Sequence, residues 1–153
     1  YNEDKDKWTE YPTKEFSWSS PHMARKIPLP AKFIPEKQSK VDPGIHAIIH
    51  VFANAAKLVA KCEPSDIEAH YDNDAIYLFD NSNQGANGVS QIIHENFEDV
   101  RAKAKKLLDD CNCHKQEKPE LGGCPNCTHT TGFCSTNNKD LKKSTAREYF
   151  DTA

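Results

Sequence analysis

Ala75-Ile76-Tyr77-Leu78-Phe79-Asp80 is a continuous apolar run closed by an acid, and its reading decides the fold. Five consecutive apolar residues, two of them aromatic and one β-branched, describe a strand covered on both faces, because a half-solvated strand would alternate. A covered strand needs amphipathic neighbours, and two flank it. Upstream, Asp42 is placed to cap a helix with Pro43 in its first turn. Ile45, Ile48, Ile49, Phe52, Ala56 and Val59 then recur at helical spacing to about Lys61. Downstream, after the polar turn 81–88, Val89, Ile92, Ile93, Phe97, Val100, Ala104, Leu107 and Leu108 form the stripe of one long helix over 88–110. The expected class is α/β, a small buried sheet packed by amphipathic helices.

Beyond this core the elements are shorter. Asp66 to Tyr71 is expected as a short helix or loop after Pro64, and Leu141 to Phe150 as a final helix. Residues 1–40 carry Trp8, Tyr11, Phe16, Trp18 and Phe33 among prolines at 12, 21, 28, 30 and 35, which confines strands there to sheet edges. Phe16 and Trp18 alternate as a short strand would. The chain of 153 residues thus reads as one domain: an extended lead-in over 1–40, an α/β core over 41–110, and a cysteine-rich end over 111–153.

That end carries the chemistry. Cys111-Asn112-Cys113 and Gly122-Gly123-Cys124-Pro125-Asn126-Cys127 place two cysteine pairs ten residues apart. Paired cysteines on tight, glycine- and proline-bearing turns are what a tetrahedral metal requires, and zinc is the usual occupant. Cys134 is an alternative to Cys111, and His114 and His129 are further candidates. Disulfides and unligated thiols are the competing readings. Cys62 sits alone in a helical stretch as a small core residue. A chain that begins at Tyr1 rather than Met is expected to be a fragment of a longer one. No leader is recognised, and no apolar run is counted as reaching the roughly 18 residues of a membrane span, so a reducing, cytoplasmic setting without membrane contact is expected. There, clustered cysteines bind metal more often than they cross-link.

Charge is divided along the chain. Residues 62–100 hold nine acids and neither lysine nor arginine, whereas 101–147 hold ten basic residues against five acids. Lys103, Lys105, Lys106, Lys142, Lys143 and Arg147 are therefore candidates to face a phosphate backbone, although solvated helix faces would look the same.

Catalytic patterns are missing. His46 and His50 are four apart but lack the glutamate of a zinc protease. The Gly85-Ala86-Asn87-Gly88 turn matches neither the Rossmann nor the Walker spacing and reads as structural. No Gly-x-Ser-x-Gly elbow occurs, and the deaminase pattern is not met, because His94 is followed directly by Glu95. Four thiolates would also close a zinc site to water and substrate.

From Pro43 to about Tyr149 the order of features resembles a known family. A histidine-bearing helix leads to a strand ending in Asp80, then a glycine turn at Gly85/Gly88 and a long helix. Cys-x-Cys, Gly-Cys-Pro-x-Cys, Cys134 and Leu141-Lys142-Lys143 follow. This is similar to the C-terminal zinc-binding domain (DUF1998) of superfamily 2 DEAD/DEAH-box helicases of the mitomycin-repair, Hrq-like type. The resemblance implies His50, Asp80 and the Gly85/Gly88 turn as family positions, with Cys111, Cys113, Cys124 and Cys127 as zinc ligands. It further implies an accessory piece of an ATP-dependent DNA-repair helicase that meets its own motor domains and helps bind or guide single-stranded DNA. A zinc-stapled protein-interaction module is the alternative.

Overall fold

The structure is a computed structural model. It describes residues 24–34, 42–72, 74–80, 88–113, 123–124, 126–130 and 140–152. Helix α1, Pro43–Ala60, is the element around which the rest assembles. Asp42 Oδ1 accepts from the N–H groups of Gly44 (2.7 Å) and Ile45 (3.3 Å), so the first turn is capped as the sequence requires. Lys61, in a left-handed conformation at φ 56°, ends it. Ile45, Ile48, Val51, Phe52, Ala55 and Ala56 are fully buried. By length and composition α1 could cross a membrane, which corrects the sequence reading, but its burial among the other elements makes it the core helix.

Strands β1 (Ala24–Pro28), β2 (Ile67–Asp72) and β3 (Ala75–Asp80) form one antiparallel sheet in the order β1-β3-β2. Strand β3 is central, pairing Ile76 with Ile27 on one side and with Tyr71 on the other. Ile27, Ile67, Ala69, Ile76 and Leu78 are buried with the helices, while Tyr77 and Phe79 point the other way and are half-buried. The double coverage expected of β3 is therefore incomplete. Its apolar run reflects its central place in the sheet, with His70 stacked on Phe79 at 5.5 Å. Residues 67–72 are a strand rather than a helix or loop. Strand β1 lies at the edge and ends in Pro28, as prolines there demand. The alternation expected at Phe16 and Trp18 lies outside the described residues.

The single helix expected over 88–110 is two: α2, Val89–Glu95, and α3, Phe97–Asp110. Asn96 interrupts it at φ −115°, ψ 31°, its side-chain amide donating to the Ile92 carbonyl at 2.9 Å. Such local bonding by asparagine competes with the helix ladder. The bend lets Phe97 stack on Phe52 at 6.0 Å, while Phe150 of helix α4, Lys143–Thr152, meets the same ring at 4.8 Å. Phe52 is thus the hub joining three helices, and its loss to alanine would cost about 3–5 kcal/mol.

At the end of β3 the Asp80 carboxylate is fully buried and accepts the Val89 N–H at 3.2 Å, while the Asp80 N–H donates to Ser90 Oγ at 2.7 Å. The helix start that a phosphate would need is occupied by the protein's own carboxylate. Gly85 lies outside the described residues.

Candidate metal centre

Helix α3 runs into Cys111, and a turn at 126–128 carries the second cysteine pair towards it. Cys127 N–H and His129 N–H both donate to the Cys124 carbonyl, at 3.0 and 3.1 Å, which folds the chain back over one sulfur. The Asn126 N–H is directed at Cys124 Sγ, and the Cys113 N–H at Cys111 Sγ. Backbone amides therefore face both sulfurs, an arrangement suited to thiolates. Gly123 makes the turn feasible. Its φ is 127°, and a Cβ there would lie 2.0 Å from Thr128 Oγ1.

The four sulfurs of Cys111, Cys113, Cys124 and Cys127 lie within 4.8 Å of one another. Cys111 to Cys124 is 3.3 Å, Cys113 to Cys127 is 3.7 Å, and Cys124 to Cys127 is 3.9 Å. Zinc–sulfur bonds of about 2.3 Å place tetrahedral sulfurs roughly 3.8 Å apart, so these separations fit one ion. They are far longer than the roughly 2.05 Å of a disulfide, and all four are free thiols. Cys134 and His114, the competing ligands, lie outside the described residues. His129 is not among the clustered groups. Cys62, half-buried, stands apart as a core residue whose thiol burial pushes up.

Without the ion, crowding sets the thiols against one another. Burial pushes Cys124 up, and its close approach to Cys111, Cys113 and Cys127 carries it to about 12. Burial also raises Cys113, against the Lys143 ammonium that pulls it down. Cys111 moves the other way: burial opposes its ionisation, but the Cys113 N–H, the neighbouring thiols and Lys143 outweigh that and bring it to about 7. A divalent cation resolves the conflict, since one ammonium cannot balance four thiolates.

The sequence names His46 and His50, but not their role here, and it does not single out Asn54 or Lys57. His46, His50, Asn54 and Lys57 fall on one stripe of α1; the last three reach residues 127–130, and His46 reaches the segment that leads into α4. His46 Nδ1 meets the Asp140 carbonyl at 2.8 Å and His50 Nδ1 the Thr128 carbonyl at 2.9 Å. A carbonyl only accepts, so each imidazole carries its proton on Nδ1. Asn54 Nδ2 donates to the carbonyls of both Cys127 and His129, each at 2.9 Å, and Lys57 Nζ donates to Thr130 Oγ1 at 2.8 Å. The histidines are thus helix residues that hold backbone, as their spacing without a glutamate indicates. A polar stripe on an otherwise apolar helix is the signal that would have revealed the clamp.

The six candidate basic residues are not brought together. Lys143 is turned inward, only 4% exposed, with Nζ 3.1 Å from Cys113 Sγ and 3.3 Å from the Cys111 carbonyl. Its expected place facing phosphate is therefore corrected. Lys105 bridges Asp109 (3.0 Å) and Asp151 (2.8 Å), and Arg147 is half-buried. Lys142 is exposed beside Lys32, Asp42 and Glu148. Lys103 and Lys106 instead line an open groove of about 480 Å³ against the metal centre, walled also by Leu58, Leu107, Asp110, Asn112 and Asn126, with Lys106 Nζ paired to the Asp110 carboxylate at 2.6 Å.

Comparison with known proteins agrees with this centre. The family described as the MrfA Zn-binding domain matches residues 48–128, from helix α1 to the residue after Cys127. An uncharacterized protein of Methanocaldococcus jannaschii is 35% identical over 72 residues, which cover 47% of this chain and 56% of that protein. The chain thus matches little more than half the length of that relative. No solved structure matches. With four clustered thiols that fit Zn²⁺ and a family match over more than half of its length, this chain belongs to the MrfA Zn-binding domain family.

Proposed function

We propose that Cys111, Cys113, Cys124 and Cys127 ligate one structural zinc, and that the domain it closes is an accessory part of an ATP-dependent DNA-repair helicase, helping to bind or guide single-stranded DNA. Four sulfurs leave a tetrahedral ion no open position, so the zinc staples and does not catalyse. The helicase assignment draws on the family match and on the feature order from Pro43 to Tyr149. The DNA assignment rests on the groove beside the metal centre. Its apolar wall at Leu58 and Leu107 suits the face of a base, and Lys103 and Lys106 offer the groove positive charge, Lys106 by exchanging its Asp110 partner for a phosphate.

Fluorescence anisotropy with a labelled single-stranded oligonucleotide across a salt series tests this. The native domain is expected to bind weakly and without sequence preference. Lys103→Glu/Lys106→Glu is expected to weaken binding and to flatten the log–log salt slope by about 0.7 for each phosphate no longer neutralised. Lys143 is unsuited to such a test, because its replacement disturbs the cysteines.

One observation favours a second reading. Leu58 is 53% exposed in that groove, which would suit a protein surface, the motor domains of the parent helicase first among them. Equal oligonucleotide binding by the native and doubly substituted domains, with loss of motor association in Leu58→Glu, would establish that reading instead.

A further inference from the structure

We propose that Lys143 is the outer-sphere cation of the zinc centre, holding the Cys113 thiolate through an N–H···S bond and the Cys111 carbonyl through a second hydrogen bond. Four thiolates around a divalent ion carry net negative charge in a half-buried setting, and that charge needs a partner. Lys143 supplies one from an element remote in sequence. Its Nζ lies 3.1 Å from Cys113 Sγ and 3.3 Å from the Cys111 carbonyl, with 4% of the residue exposed.

The position is built rather than incidental. Lys143 opens helix α4, whose start is tied to α1 by the Lys142 N–H donating to the Pro43 carbonyl at 3.0 Å. Farther along, Ala146, Tyr149 and Phe150 are buried in the core. The backbone thus delivers the ammonium to the sulfur, and the anions facing it are the thiolates of Cys113, Cys127 and Cys111. A proton donor on a metal-bound thiolate draws charge off the sulfur. That strengthens an anionic complex and blunts the sulfur towards electrophiles. Lys143 also makes helix α4 a partner of the metal, because the side chain that steadies Cys113 is the first of that helix.

The inference rests on the four-cysteine ligand set, so the wild-type cobalt(II) spectrum is read first. Tetrathiolate bands fix the ligands before Lys143 is judged. Lys143→Met preserves length and removes the donor. It is expected to lower zinc affinity roughly 10- to 100-fold in competition with a chromophoric chelator. It should also shift the sulfur-to-cobalt band to lower energy and speed alkylation of Cys113 by iodoacetamide in the zinc-loaded protein. Lys143→Arg should restore all three in part, which a packing role would not require. Unchanged affinity, band and alkylation in a folded Lys143→Met would overturn the proposal. Should that variant not fold, the native protein decides the matter. With NMR-active cadmium in the site, slowly exchanging Lys143 ammonium protons coupled to the metal through sulfur are expected. Exchange at the rate of a free lysine would overturn it.

Discussion

His50 donates from Nδ1 to the carbonyl of Thr128 at 2.9 Å, across 78 positions of sequence, and so ties the core helix to the turn after Cys127. Burial, with His46 next, lowers the His50 pKa from 6.5 to about 4. The neutral ring is therefore the folded form. The unfolded chain binds the proton more readily between those values, so this stabilisation is complete above pH 6.5 and is lost as pH falls towards 4. Its full extent is about 3 kcal/mol. Denaturant melts of the zinc-bound domain should show stability falling over that window. His50→Asn, which keeps a donor but cannot titrate, should show a shallower fall, and parallel profiles would rule the assignment out.

Metal uptake should release protons. Cys124, pushed up to about 12, and Cys113, also raised, are protonated at neutral pH before the ion arrives. Zinc takes thiolates, so binding must expel at least those two protons, and affinity must rise with pH. Calorimetry in buffers of different ionisation enthalpy measures the number released. A binding heat independent of buffer would contradict the ligand set. Acid or a chelator should free the ion again, and hydrogen exchange should then rise in 111–113 and 123–130 before it rises in α1.

Gly123 and Gly88 both have positive φ, yet their replacements should differ. Gly88 (φ 68°) has nothing within 4 Å of a built Cβ, so Gly88→Asn should cost well under about 1 kcal/mol. Gly123 (φ 127°) has Thr128 Oγ1 in the way, so Gly123→Ala must move the turn as well as strain it. Backbone strain alone is of order 1–3 kcal/mol. Zinc affinity should fall with it, and a chelator competition shows whether it does.

Asp80 caps α2 from the end of β3, and its effect should be confined to stability. Asp80→Ala leaves the Val89 N–H without its acceptor in a buried place and should cost roughly 1–3 kcal/mol in urea unfolding. Zinc stoichiometry should remain that of the native protein. Loss of metal on this substitution would mean that the sheet and the cysteine turns are coupled more tightly than their separate hydrogen bonds indicate.

The core was legible because its signals are local. Asp42-Pro43 starts a helix by chemistry that needs no partner, and the apolar run from Ala75 closes on Asp80 at the strand's end. The cysteine spacings likewise led to the four sulfurs that meet. Strand β2 was missed although Ile67, Ala69 and Tyr71 alternate with Glu68, His70 and Asp72, a period of two that Pro64 and the acids obscured. The break at Asn96 turns on one side chain bonding four residues back. Lys143 was misread for a different reason. A lysine beside Lys142 in a basic stretch looks solvated, and only helix α4 docked on α1 turns it inward. The polar stripe that includes Asn54 marks a contact, but its partners are backbone carbonyls, so the pattern does not say which segment it holds.

The clamp on α1 has a consequence for the order of assembly. His50, Asn54 and Lys57 stand on a helix that packs mainly against the sheet and the neighbouring helices, an environment that does not depend on the ion. Two of the three grip main-chain carbonyls, at Thr128, Cys127 and His129, and Lys57 grips a hydroxyl. Bonds between groups this distant in sequence close late in folding, once the entropy of the intervening chain has been surrendered. In that order the core would serve as a template for the cysteine turn, and the metal would lock a loop already guided home.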